Sequence, residues 1–363
     1  MIAVAILLFL FLIRRLHGGH ENWSYIHISR PPEPVGEALN DLPPITFAEL
    51  EHFLPDSVEN KIAILDVIEA DTPTVFYQHA MMSVACYARA QGYEFRIVFS
   101  SNYSQECPHK DVTYHIFRVT AITDDFAVYL RRHCVVAQVL PQYHTILYID
   151  ADMGVVNPKR RIEEYIDEGV EISFFDRFYN WEVAAGSYIV KNTKWTQKFL
   201  KDFADYEFRL PKYYHGTDNG ALHAFLGEVL FGEERKSELA FCLHIYYNLK
   251  SYDDLFTFEA CIRHMLGMHG RMGKIRIYKK GTAWVRDNWM TNTKWSPDRD
   301  FMMHNWKITQ LRRYTERDLP LINTTWSYDP NLIESSKKIE AKLQGLYDVI
   351  ERDRIKSLAR MIT

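Results

Sequence analysis

The chain has 363 residues, 47% of them hydrophobic and 14% aromatic, which is enough apolar side chain for a large core and too much for a disordered polypeptide. Its 43 basic and 47 acidic residues leave a formal net charge of −4, so no general attraction to nucleic acid or to an anionic lipid surface is expected. The first feature is an unbroken apolar run, Met1 to Ile13, ended by Arg14 and Arg15. As a helix rising about 1.5 Å per residue it reaches ~20 Å, short of the ~30 Å hydrocarbon core of a bilayer. Residues 1–19 are therefore expected to form a signal peptide or short signal anchor, although the basic pair follows the run instead of preceding it. That expectation carries a location with it, the secretory pathway and the Golgi lumen or membrane, with anchoring through the N-terminus. Residues 20–60 contain Pro31, Pro32, Pro34, Pro43 and Pro44 among polar residues and suit a stem or linker. Sequons at Asn22, Asn102 and Asn323 are weak further support for a secretory chain.

From Lys61 the pattern changes. Ile62 to Val67 is a short apolar run of buried-strand type, Thr74 to Gln91 has helical character, and Phe95 to Phe99 is a second strand-like run. Strand, helix, strand opens a parallel α/β sheet. A helical stretch from Asp124 stops at Leu140 because Pro141 follows, and Thr145 to Ile149 is a third strand. Glu171 to Phe175 and Ser187 to Val190 read as strands, Thr193 to Tyr206 and Gly216 to Leu226 as helices, and mixed-charge Asn331 to Arg360 as a solvated helix packed on the domain. These boundaries give a catalytic domain over 61–330 and a C-terminal helical extension over 331–363. Cys86, Cys107, Cys134, Cys242 and Cys261 show no paired metal-ligand spacing, so no zinc site is expected, while one or two disulfides are open to a lumenal chain.

The chemistry concentrates where the third strand ends, at Asp150-Ala151-Asp152. Side chains leaving the carboxyl end of a parallel strand enter the crevice where open α/β sheets bind ligands. Two carboxylates one residue apart can converge there on a hard divalent cation that keeps positions open for phosphate oxygens. A second Asp-x-Asp, Asp298-Arg299-Asp300, follows Ser296-Pro297 and reads as a solvated turn. The pair Arg131-Arg132 precedes the third strand and reads as a solvated helix face, with donor phosphate as the other reading. Thr217-Asp218-Asn219 forms the turn into the Gly216 to Leu226 helix and could cap it.

Three segments in order, Tyr148-Ile149-Asp150-Ala151-Asp152, then Ala185 to Trp195 (AGSYIVKNTKW), then Thr217-Asp218-Asn219-Gly220-Ala221-Leu222, resemble the successive motifs of GT-A-fold glycosyltransferases. They are most similar to the group containing yeast α-galactosyl- and α-mannosyltransferases and plant xyloglucan xylosyltransferases, and to a large nematode family of that superfamily. The resemblance implies a GT-A-type, mainly parallel nucleotide-sugar-binding sheet flanked by helices. It implies transfer of a hexose or pentose from a nucleotide-sugar donor to a glycan or glycoconjugate acceptor, with retention of configuration and Mn2+ or Mg2+ as cofactor. It places the metal on Asp150, Asp152 and His304 and the donor on Asp150, Ala185, Gly186, Ser187 and Lys307. It also implies that Asp218 and Asn219 face the reacting sugars. Here Asn305-Trp306-Lys307 follows His304 at a shorter spacing than in those relatives and without their glycine. A donor- or glycan-binding protein without turnover is the second reading. A sugar nucleotidyltransferase is disfavoured, because no Gly-rich phosphate loop occupies Leu65 to Thr74.

Overall fold

The computed structural model describes residues 61–110, 129–178, 180–267, 270–307 and 330–361, all within the unit Val35–Thr363. The apolar run, the proline-rich segment and the sequons at Asn22 and Asn323 lie outside the described residues. Among the described residues no helix is long and apolar enough to cross a membrane.

The elements follow in the order β1 (Ile62–Ile68), α1 (Gln78–Gln91), β2 (Glu94–Phe99), α2 (Arg131–Val139), β3 (Thr145–Ile149), β4 (Gly154–Val155), β5 (Ile172–Phe175), β6 (Ser187–Lys191) and α3 (Lys194–Ala204). Then come α4 (Thr217–Phe231), α5 (Lys236–Tyr247), α6 (Tyr252–Leu266), β7 (Gly270–Met272), β8 (Ile275–Tyr278), β9 (Val285–Asp287), β10 (Met302–His304) and α7 (Ser336–Ala359). Seven strands form one sheet in the order β2-β1-β3-β6-β5-β8-β7. β1 pairs in parallel with β2 and β3, β6 is antiparallel to both β3 and β5, β8 is parallel to β5, and β7 is antiparallel to β8. Five of the seven strands thus point the same way, and helices cover the sheet. This is the α/β class with a mainly parallel sheet that the strand-helix-strand pattern implies.

The apolar runs are continuous because both faces of the sheet are buried. Residues 63, 65 and 67 of β1, 146 and 148 of β3, 172 and 174 of β5, and 188 and 190 of β6 enter one core with α2, α3, α4 and α6. Ile64, Leu147, Ile149, Phe175 and Ile189 point the other way, onto Val84, Tyr87 and Ala88 of α1 and onto Trp284, Phe301 and Met302. This is the period of two of an extended chain. α3 starts where expected, since the Thr193 hydroxyl accepts from the Thr196 amide. α2 begins at Arg131; the Asp124–Val128 part of the expected helix lies outside the described residues. α7 packs Ile339, Leu343 and Ile350 against Phe178, Trp181, Ala260, Trp289 and Met290.

Two disulfides form, Cys107–Cys134 and Cys242–Cys261, and Cys86 takes part in neither. The first ties α2 to the loop after β2, and the second ties α5 to α6. A second, three-stranded sheet, β4-β10-β9, stands beside the end of β3. It was not evident in the sequence, where strands of two or three residues leave no periodic signal.

Candidate metal and donor site

β3 ends at Ile149, and Asp150 is the first residue beyond it. The chain then turns through a Met153 N–H to Asp150 carbonyl bond and enters β4 two residues after Asp152. β4 pairs antiparallel with β10, Met303 opposite Gly154, so the far end of β10 is carried back to Asp152. That end is His304. The Trp306 amide also donates to the Asp152 carbonyl at 2.7 Å. Gly154 is required by this closure, because a Cβ there would lie 2.6 Å from the Trp306 ring. One ligand atom from each of Asp150, Asp152 and His304 lies within 4.8 Å of the others. The sequence motif and a residue 152 positions away thus meet through four short strand residues.

The histidine is oriented by a partner not evident in the sequence. β9 and β10 are parallel with Asp287 opposite His304, and the His304 Nδ1 lies 2.7 Å from Asp287 Oδ1. With Nδ1–H donated to that carboxylate, Nε2 is left facing Asp152, 3.4 Å from its Oδ1. Asp287 is itself held by Arg177 at 3.1 Å. Burial works against ionisation of Asp287, but Arg177 and the His304 hydrogen bond outweigh it and hold the carboxyl well below the usual range. The only sequence signal for Asp287 is that it ends a short apolar segment, as Asp150 does.

Asp150 and Asp152 sit over a third carboxyl. Asp66 on β1 is fully buried, registers with Ile149, and among the described residues neither of its oxygens has a hydrogen-bond partner. Burial first, then the charges of Asp150 and Asp152, push its pKa far up. Burial also raises Asp150; Arg132 opposes this and Asp152 adds to it. Mutually repelling carboxylates, Asp152 buried and Asp150 half-buried, around an oriented imidazole nitrogen form a donor set suited to a hard divalent cation.

On the other side lies an arginine that the sequence reading placed on a solvated face. Arg132 is instead half-buried between two acids, its side chain 13% exposed, with Nη1 donating to Asp150 Oδ1 at 2.6 Å and Nη2 to Asp218 Oδ2. One helix position later, His133 reaches Asp218 Oδ2 at 3.3 Å and the Tyr188 hydroxyl at 3.2 Å. Helical polar residues are read as solvated by default; an ion pair 86 residues apart is visible only in the fold. Asp218 is buried and is not a helix cap. The N-cap of α4 is Gly216, without side-chain capping, and Asp218 lies one residue inside the helix with its carboxylate turned to Arg132 and His133. Gly216 at φ 67 and Thr217 at φ 51 give the left-handed entry that turns it inward. Burial disfavours the charged form of Asp218, but Arg132 and His133 prevail and lower its pKa to about 2.

The remaining expected residues line the same region. A Cβ at Gly186 would overlap the Asp150 carboxylate, so the glycine makes room for a ligand-bearing side chain. The Ala185 amide donates to Asn219 Oδ1 at 2.9 Å, which fixes this segment against α4. Ser187 is fully buried; its hydroxyl donates to the Tyr148 carbonyl and accepts from Trp284 Nε1. The Lys307 ammonium lies 3.7 Å from Asp152 Oδ2. The left-handed residue after the histidine is Asn305, φ 61, a conformation asparagine tolerates better than most side chains. The second Asp-x-Asp is only half a solvated turn: Asp298 is exposed, but Asp300 is buried and takes two hydrogen bonds from Arg286 at 2.8 and 2.9 Å.

Residues 84–320 match the family described as "Protein of unknown function, DUF273". The chain belongs to this family. The matched span of this DUF273 protein runs from α1 past β10 and so includes Asp150, Asp152, Asp218 and His304. No curated protein sequence matches the chain. Among solved structures it is similar to one titled "crystal structure of a glycosyltransferase involved in the glycosylation of the major capsid of PBCV-1", at 12% identity and a TM-score of 0.38, over 70% of this DUF273 chain and 98% of that one.

Proposed function

We propose that this chain is a metal-dependent glycosyltransferase of the GT-A type, taking a nucleotide-sugar donor and a glycan or glycoconjugate acceptor. The observation that carries the reading is the meeting of Asp150, Asp152 and His304 at the carboxyl end of β3, beside an ordered Asp218-Asn219 pair. Those three side chains would hold Mn2+ or Mg2+, which when bound offsets the charge of a departing diphosphate. The chain's own groups do the rest. Asp287 orients His304, Asn219 fixes the Ala185 segment, and Arg132 holds the Asp218 carboxylate ionised where positive charge would develop on the transferred sugar. Lys307, beside Asp152, would contact the diphosphate. Retention, the hexose or pentose specificity and kinship with the yeast and plant group rest on the motif resemblance alone.

Secretory entry through residues 1–19, a Golgi location, a stem over 20–60 and a catalytic domain over 61–330 complete the proposal. Two disulfides among five cysteines support an oxidising compartment. A second reading, binding of donor or glycan without turnover, draws on the internal engagement of Asp218 by Arg132 and His133. Incubation of the protein with manganese and a panel of nucleotide sugars, with release of nucleoside diphosphate as readout, separates the two. A transferase releases diphosphate from one donor, at least slowly to water. Binding of a donor with no release from any of them would establish the second reading.

A further inference from the structure

β3, β5 and β8 point the same way, so the loops after β5 and β8 open at the same edge of the sheet as Asp150. In the strand order β3-β6-β5-β8, and at about 4.8 Å per strand, those loops lie ~10 and ~14 Å along that edge from Asp150. A cavity of about 580 Å³, open to solvent on one side, lies there between the two loops and α7. Its lining carries four bases, Lys279, Lys280, Arg299 and Lys337, against two acids, Asp176 and Glu340, in a chain whose net charge is −4. Asp176 is already paired with Arg263 at 2.7 Å.

Two of the bases are fixed in place. The Lys280 ammonium donates to the carbonyls of Arg177 and Asn180, and among the described residues its third proton meets no acceptor. The Arg299 guanidinium donates to the Gly281 carbonyl at 3.0 Å and to Asp300 at 3.4 Å. Lys279 and Lys337 are exposed at the rim, and the rings of Phe178 and Tyr347 form apolar walls. Pinned cations beside ring faces select a ligand with an anionic group on a compact body that has apolar faces of its own. A sugar ring bearing a carboxylate, sulfate or phosphate has that chemistry.

We propose that this cavity binds an acidic saccharide, and, resting on the transferase reading above, that it is the subsite for an anionic unit of the acceptor. The distance along the sheet edge suits a sugar one or two units from the reacting hydroxyl. Binding is measured by titration calorimetry on the full chain at low salt, with a glucuronic-acid-terminated disaccharide, glucose 6-sulfate, glucose 6-phosphate, inorganic phosphate and a neutral glucose-terminated disaccharide as probes. At least one acidic saccharide is expected to bind about tenfold or more tightly than the neutral one, and the preferred probe identifies the anion. The exposed substitutions Lys337→Glu and Lys279→Glu should weaken that binding about tenfold or more at unchanged melting temperature and unchanged manganese-dependent donor hydrolysis. Lys280→Gln should do the same, with the melting temperature reporting any loosening of its loop. Equal binding of acidic and neutral sugars, binding of inorganic phosphate alone, or wild-type affinity in both charge-reversal variants would overturn the proposal. If the protein turns over no donor yet binds an acidic saccharide in this charge-dependent way, the cavity assignment stands and only the transferase reading falls.

Discussion

At the residue scale, the candidate site is a chain of charges in which each member fixes the next. Arg177 holds Asp287, Asp287 holds His304, and His304 faces Asp152; Asp150 takes Arg132, and Arg132 takes Asp218. The two ends make different predictions. Asp287→Asn keeps the shape but weakens the hold on Nδ1–H, so manganese affinity should fall about 10- to 100-fold with the ligands intact. An unchanged manganese dissociation constant would show that Asp287 only packs. Asp218→Asn leaves Arg132 half-buried with Asp150 as its remaining acid, which should cost about 1–3 kcal/mol of stability and, below the transition, lower kcat roughly 10²-fold with donor affinity little changed. A lowered melting temperature with full kcat would assign Asp218 to structure alone. Acid stability follows from the same buried groups. Burial holds His133 and His223 down to about 4, against an ordinary 6.5, so the unfolded chain binds more protons between those values. Each histidine therefore contributes a loss of stability as pH falls from 6.5 to 4, opposed over the same range by buried Asp66 and Glu259, whose raised pKa values favour the folded state as pH falls; Asp218, at about 2, adds a loss as pH falls from about 4 toward 2. Melting temperatures across that range for the wild type and for His223→Gln test the histidine contribution, which the substitution should remove; the same pH dependence in both would show that His223 is not buried neutral. Asp150 and Asp152 were legible because two carboxylates directly follow a buried strand. Arg132 and Asp287 were not, because their meaning lies in partners 86 and 17 residues away.

At the scale of elements, β1, β2, β3, β5 and β6 were readable as dense apolar runs, whereas β8, an inner strand of the same sheet, was not, because Arg276 interrupts its four residues. The three short strands that deliver His304 were not, and neither was the covalent tie of α2, which presents Arg132 and His133 to the site. Cys134 lies on α2 and bonds Cys107, closing a loop with a sequence separation of 27; Cys242–Cys261 closes one of 19. Loops of this size imply about 3 kcal/mol of stabilisation each. Cys107→Ser with Cys134→Ser should lower the melting temperature and, because α2 carries Arg132, also reduce donor turnover; Cys242→Ser with Cys261→Ser should lower stability by a similar amount and spare turnover. Equal losses of turnover in the two double variants would contradict this division.

At the scale of the whole molecule, the sheet supplies one ligand-facing edge. Asp150 and the acidic-sugar cavity both lie at carboxyl ends of strands with the same direction, and α7 closes the far side of that edge through Ile339, Leu343 and Ile350. The C-terminal stretch was readable as a packed helix, but its part in a cavity was not, since Lys337 and Tyr347 gain that meaning only opposite Lys280 and Phe178. Everything at this edge turns on Asp150, Asp152 and His304 holding a divalent cation for a nucleotide diphosphate, as proposed above. The most direct test is titration of manganese into chelator-stripped protein in the presence of UDP and, in parallel, GDP. One manganese site is expected, strengthened by one of the two nucleotides, and weakened at least about tenfold in Asp152→Asn and in His304→Ala while both variants remain folded. No manganese binding by the wild-type protein, or a curve unchanged in both variants, would contradict it.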